Sequence, residues 1–395
     1  MTGSMTAGSN SLGAILVRMA GVSVAVVLFG LANGGNFAVV AVGMADSGAS
    51  NLLVGLATSA YFVGTLTASL TLGPAIARLG HVRAFALVAA LAAMSTAALF
   101  FVEGVVFWPL LRCLTGFAMG GYYIVVDSWY HHATSNATRG RTIAFYETAR
   151  LLSVATGSYV LLSFDAWSGA GVFLMAGLLY AVAILPVAAS RAVKPDIPSV
   201  ARPSWRRLLA TAPLGFAFGL VGGFTTAAVY GLMPLYGKQI GLDTTLLATL
   251  VFMAHAGALF LQGPVGLAGD RWGRLPVMAV VTFVGAFVAL VFGTGDFDNV
   301  LLLLAAAAIV GGTSHTVFTM GGVFANDRVD PASFVPVAAA LLVAYDVGTI
   351  IGPPIASLAM NLAGPGGLFL FLGVMLALLS LFATLQARRG RQPVT

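Results

Sequence analysis

The side chains in this sequence that could do chemistry sit in otherwise apolar stretches. Glu147 and Arg150 stand one helical turn apart on one face, and Asp346 stands alone in a run of Leu, Val and Ala. A carboxylate in a low-dielectric, intermittently wet site binds protons more readily than one in water, which is what proton coupling requires. Arg150 opposes that role for Glu147 if the two pair permanently; Asp346 has no basic neighbour at helical spacing and is the better coupling candidate. His255 and His315 fall near the centres of two further runs. Imidazole changes charge near neutrality and suits proton transfer, the alternative being a hydrogen-bonded packing group. Arg112 could neutralise a protonation site, contact an anionic solute, or bond to backbone carbonyls or to Asn33 and Asn36. With those two amides, Tyr122, Tyr123, Tyr146, Tyr230, Tyr236, Phe252 and Tyr345 are candidates for a cavity lining. Rings with hydroxyl tips suit an amphipathic or aromatic organic solute.

The elements that position these groups are set by composition. The chain is 59% hydrophobic and 8% charged over 395 residues, against roughly 25% charged in soluble domains. Apolar runs fall near 17–43, 51–73, 84–101, 106–129, 140–163, 168–189, 208–233, 244–268, 275–293, 299–324, 332–357 and 366–386. Each suits the ~20 residues that cross a bilayer as a helix. The expected fold is an all-α membrane protein of twelve transmembrane helices. The Pro-rich basic segment 190–207 separates an N-terminal six-helix half (1–189) from a C-terminal one (208–395). The polar start leads into a full-length span, so no cleavable leader is expected. The lone Cys113 excludes an intrachain disulfide.

With both termini placed inside, sixteen of the nineteen Lys and Arg fall on the cytoplasmic side. Only Lys238 falls outside, and Arg112 and Arg150 lie within spans. That is the positive-inside pattern. The net charge of +6 therefore records topology, and no nucleic-acid partner is expected.

The halves resemble each other. "FGLANGGNF" (29–37) matches "FGLVGGF" (218–224), and "GPAIARLG" (73–80) matches "GLAGDRWG" (266–273). "AFYETA" (144–149) matches "VAYDVG" (343–348), and Asp127 matches Asp327. Two six-helix halves with a site between them is a transporter architecture. "GLAGDRWGR" (266–274) is similar to the motif A loop of the major facilitator superfamily, and "RCLTGFAMGG" (112–121) resembles its span-4 motif. "DSW" closing span 4 and "LQGPVGLAGDRWGR" (261–274) look most like the bacterial YcaD-type members. The first copy departs from motif A, with Ala77 where the loop aspartate is expected. The resemblance implies a gate latch in which Arg78 pairs with Asp127, and, by the repeat, Arg271 with Asp327. Asp270 and Arg274 belong to the same network. A half-wet pair of this kind contributes about 1 kcal/mol, enough to bias two conformers of similar energy. Glu147 could instead extend this network.

The resulting expectation is a monomeric, proton-coupled secondary transporter in the bacterial inner membrane. It moves a small amphipathic or aromatic organic solute by alternating access, with the proton gradient as energy source and no cofactor. A transition-metal importer of the same fold is the alternative, with Met119, Met233, Met253, His255, His315 and Met320 as soft ligands. A membrane-embedded enzyme is disfavoured, because the chain holds no His-Glu-x-x-His, Gly-x-Ser-x-Gly or Walker-type loop. A sensor is disfavoured because no soluble output domain is present.

Overall fold

The computed structural model of the chain describes residues 19–102, 104–134, 138–163, 171–190, 203–295, 299–330 and 333–389, with residues 13 and 17. Most of the basic segment between the halves, 191–202, lies outside the described residues, as do Glu103, Asp165, Asp296 and Asp298. Among the described residues every regular element is helical. Besides a 3-10 turn at Val105–Phe107 and a short helix at Trp205–Thr211 they are, in order, α1 (Ala20–Asp46), α2 (Asn51–Leu79), α3 (His81–Phe101), α4 (Trp108–Ala133) and α5 (Arg139–Ser163). Then follow α6 (Gly171–Val182, extended by Ile184–Ala189), α7 (Pro213–Gln239), α8 (Thr244–Trp272) and α9 (Arg274–Thr294). The last are α10 (Val300–Asn326), α11 (Phe334–Ala363) and α12 (Gly367–Arg389).

Eleven of these are long and apolar enough to cross a membrane. The exception is α5, whose 25 residues suffice in length. Its first half carries Arg139, Arg141, Glu147 and Arg150, which lower its hydropathy. Two expected loops are almost absent. Helix α2 runs through Pro74 to Leu79, and α8 runs through Pro264 to Trp272. Arg78, Asp270 and Arg271 are therefore helical, and each connection shrinks to one glycine. Gly80 (φ 81°) and Gly273 (φ 87°) occupy the left-handed region, which glycine enters without steric cost, so two helices can join through one residue.

The chain divides into two compact units, residues 1–39 with 60–200, and residues 40–59 with 201–395. In the first, α1 crosses α5 at Gly34 and Gly157, and α2 crosses α4 at Gly64 and Gly116. A methyl group on any of these would strike the backbone of the facing helix, at Val154, Leu31, Cys113 and Tyr61 respectively. The second unit repeats both crossings. There α7 meets α11 at Gly223 and Gly348, and α8 meets α10 at Gly257 and Gly311. Each glycine follows its counterpart by 189 to 195 residues, so the sequence repeat is a repeat of helix packing. Lipid gives helices no hydrophobic reason to associate, and close backbone approach supplies the attraction instead. Around these crossings the first unit stacks Phe29 on Tyr122 at 4.3 Å, with Phe85 and Tyr180 against the same ring. The second builds a core from Phe218, Met278, Val317, Phe324 and Leu376.

Candidate functional site

Three polar groupings interrupt the apolar interior. The first lies in the first unit around Arg112, which is 1% exposed on α4. Its guanidinium carbon sits 4.3 Å from the Phe37 ring centroid and 4.6 Å from that of Tyr61. Asn33 does not bond to it. Instead the Tyr61 hydroxyl donates to Asn33 Oδ1 at 3.0 Å, and that of Tyr180 donates to the same oxygen at 3.5 Å. Asn36 Nδ2 donates to Thr96 Oγ1 at 3.1 Å. Among the described residues, Arg112 Nη1, Asn36 Oδ1 and the Tyr122 hydroxyl have no hydrogen-bond partner. Tyr61, Thr96 and Tyr180 were not foreseen. They join the group only because α2, α3 and α6 pack beside α1 and α4, a neighbourhood with no linear signal.

The second grouping is lower on α4 and on α5. Arg150 binds Glu147 Oε2 through Nη2 at 2.6 Å and Nε at 3.0 Å, so the two adjacent charges do pair. Tyr123 lies under the same guanidinium at 5.9 Å. Tyr146, buried, stacks on Tyr130 at 4.6 Å. Asp127 has Tyr146, Glu147 and Arg150 as its electrostatic neighbours. Arg78 is exposed on the last turn of α2 and makes no ion pair with Asp127.

The second unit carries an ion pair at the corresponding corner, in a shifted register. Asp327 pairs with Arg274 at 2.5 Å, and Asp270 lies 3.6 Å from the same guanidinium. Arg271 points elsewhere, 6.0 Å from the Trp272 ring. Arg328 adjoins Asp327 but stacks on Phe324 at 3.6 Å. Burial lowers the Arg328 guanidinium from its ordinary value, with Asp327 opposing the shift. The partner is thus the residue just after the glycine hinge. In the first unit that position holds His81, buried against Trp129 at 5.7 Å, so no guanidinium stands where Arg274 does.

The remaining candidates also lie in the second unit. Asp346 is half-buried on α11, and no basic group pairs with its carboxylate among the described residues. Next to it Tyr345 packs on Phe318 at 4.3 Å. His255 is 3% exposed, and its ring meets Tyr230 edge-on at 4.3 Å. Its Nδ1 lies 2.7 Å from the Val251 carbonyl. A carbonyl only accepts, so Nδ1 carries the proton and Nε2 is left with an unshared lone pair and, among the described residues, no partner. His315 and Phe252 are half-buried on α10 and α8.

A cavity of about 180 Å³ in the first unit is lined by Leu31, Gly157, Val160, Leu161, Val172, Met175 and Leu179. It is wholly apolar and contains none of the expected lining residues. Nothing supports the metal-importer alternative: among the described residues no group of three or more His, Cys, Asp or Glu could hold a metal.

The model of the Major Facilitator Superfamily matches residues 22–261 and 245–394. A relative in Yersinia enterocolitica, an uncharacterized MFS-type transporter, is 28% identical over 333 residues, 82% of this chain and 85% of its own length. The uncharacterized MFS-type transporter YcaD of Salmonella enteritidis is 26% identical over 310 residues, 78% of this chain and 80% of its own. Among solved structures the nucleoside transporter NupG superposes with a TM-score of 0.72 at 14% identity. That likeness covers 93% of this chain and 99% of the other.

Proposed function

The chain belongs to the Major Facilitator Superfamily, whose members are transporters and not enzymes, and from that premise we propose that it is a proton-coupled secondary active transporter. It moves a small amphipathic or aromatic organic solute by alternating access through the bacterial cytoplasmic membrane, as a monomer with both termini inside. The observation that carries the coupling is Asp346, a carboxylate in an apolar helix with no cation paired to it among the described residues. Intramembrane acids mark proton and substrate routes. One that is not permanently neutralised by an arginine can gain and lose a proton during a cycle. Glu147 is held by Arg150 at 2.6 Å and serves as structure. His255, with Nε2 unused, and His315 are the secondary coupling candidates. Tyr230, Phe252 and Tyr345 line the solute's route from the second unit. The Arg274–Asp327 pair and Asp270 act as the cytoplasmic latch. The inside placement of the termini rests on the arginine-rich ends of the spans.

The test uses full-length protein in proteoliposomes loaded with a pH-sensitive dye. Solutes from a broad panel are added under an imposed pH gradient. Solute-dependent proton movement, abolished by Asp346→Asn, is expected. No such movement across the whole panel counts against proton-coupled transport.

A further inference from the structure

Arg112 poses a problem that the proton reading leaves open. Its guanidinium is permanently charged and 1% exposed. Charges inside a membrane protein normally pair with one another or with backbone carbonyls. Among the described residues the first unit holds two acids, Asp127 and Glu147. Glu147 is taken by Arg150 at 2.6 Å. Asp127 lies fifteen residues along the same helix as Arg112, about 22 Å at the helical rise, and cannot neutralise it. No protein acceptor bonds the guanidinium among the described residues, and Nη1 is sealed without a partner.

The surroundings narrow what would satisfy it. The Phe37 and Tyr61 rings touch each other at 4.6 Å and lie 4.3 and 4.6 Å from the cation. Three such distances form a near-equilateral triangle, so both rings sit on one side of the guanidinium and leave its remaining N–H donors uncovered by acceptors. The Tyr61 and Tyr180 hydroxyls are already committed to Asn33.

We propose that Arg112 anchors a subsite for the carboxylate of a small organic monoanion, with Phe37 and Tyr61 beside it; this deepens the transport reading above and rests on it. A planar guanidinium fork matches a carboxylate with two parallel hydrogen bonds. One uncommitted arginine, with Arg150 already paired, fits one negative charge rather than a dianionic phosphate. The neighbouring rings suit an aromatic or amphipathic remainder. All these groups are buried, so the anion enters when the helices around them part.

The experiment measures thermal unfolding of the full-length protein in nanodiscs. The probes are benzoate and 3-phenylpropionate, each beside its neutral amide. The carboxylates raise the melting temperature of the unmodified protein and the amides do not. Arg112→Lys, which keeps the charge but loses the fork, weakens the carboxylates about tenfold, and Arg112→Gln abolishes their effect. Asn36→Asp puts a carboxylate one residue from Phe37, whose ring lies 4.3 Å from the guanidinium, so it is expected to raise the melting temperature without added probe and to remove the response. This variant keeps the idea open to refutation if Arg112→Gln does not fold. An equal response to acid and amide, or a carboxylate response that survives Arg112→Gln or Asn36→Asp, overturns the subsite. Proton movement in proteoliposomes is followed in parallel. If solutes drive protons while carboxylate binding ignores Arg112, transport stands and the subsite falls. If carboxylates need Arg112 but no solute moves protons, the subsite stands and proton coupling falls.

Discussion

Arg274, the first residue of α9, binds the carboxylate of Asp327, the residue closing α10, at 2.5 Å. It also lies 3.6 Å from Asp270 on α8, so one guanidinium ties three helix ends of the second unit. The pair is half-wet, with side-chain exposures of 29% and 45%, which limits its contribution to about 0.5–1 kcal/mol. Arg274→Ala is expected to lower the melting temperature at low salt, and the difference should shrink in about 1 M NaCl as the charges are screened. Arg271→Ala should stay within about 0.5 kcal/mol of the parent. Equal losses in both variants would return the latch to Arg271.

That register was not legible in the sequence, and the reason is geometric. Alignment of the repeats sets Arg271 opposite Arg78, which is correct as a correspondence. Gly273, at φ 87°, then turns the chain so that the residue after it faces the end of α10. The linear motif names the arginines but not which side of the hinge points inward. In the first unit the same corner holds His81, and the Arg78–Asp127 pair is not made.

The glycine crossings give a sharper contrast. Gly257→Ala places a methyl on the Ala308 carbonyl, and Gly34→Ala on that of Val154. Overpacking against backbone costs about 1–3 kcal/mol or more. Gly263→Ala, on the same helix as Gly257, meets nothing within 4 Å and should be neutral or stabilising by up to about 1 kcal/mol. Folded yield and thermal unfolding of the three variants decide the matter, and an intact Gly257→Ala protein would refute the packing described.

For Glu147 and Arg150 a double-mutant cycle is informative. Arg150→Met or Glu147→Gln alone strands a partly buried charge and is expected to cost about 1–3 kcal/mol. The double variant should cost less than the sum, because neither charge is left alone. Strict additivity would mean that the 2.6 Å contact contributes nothing.

Asp346→Asn separates proton use from solute binding. Solute exchange without a gradient should persist, gradient-driven accumulation should vanish, and exchange should lose its dependence on pH. Accumulation retained at parent level would move the coupling site to His255 or His315.

Much of the fold was legible because each span must satisfy its backbone internally and run for about 20 apolar residues. Even α5, the least apolar helix, was read as a span from its run at 140–163. The pairing of Glu147 with Arg150 was readable from their spacing of three. The partners of Asn33 and Asn36 were not, since Tyr61, Thr96 and Tyr180 come from three other helices and their sequence distances carry no period. Arg112 could be suspected from type and depth alone. Its lack of a counter-charge among the described residues became visible only once the contents of the first unit were assembled.

The crossings at Gly34, Gly157, Gly64 and Gly116, echoed at Gly223, Gly348, Gly257 and Gly311, bear on how the chain can drift. Lipid-facing positions accept any greasy substitute, so the two halves are free to lose resemblance over most of their length. Where one backbone rests on another there is no room for a single added carbon. At those eight positions an added methyl would meet facing backbone, so the repeat of packing demands glycine in both halves even where the surrounding residues differ.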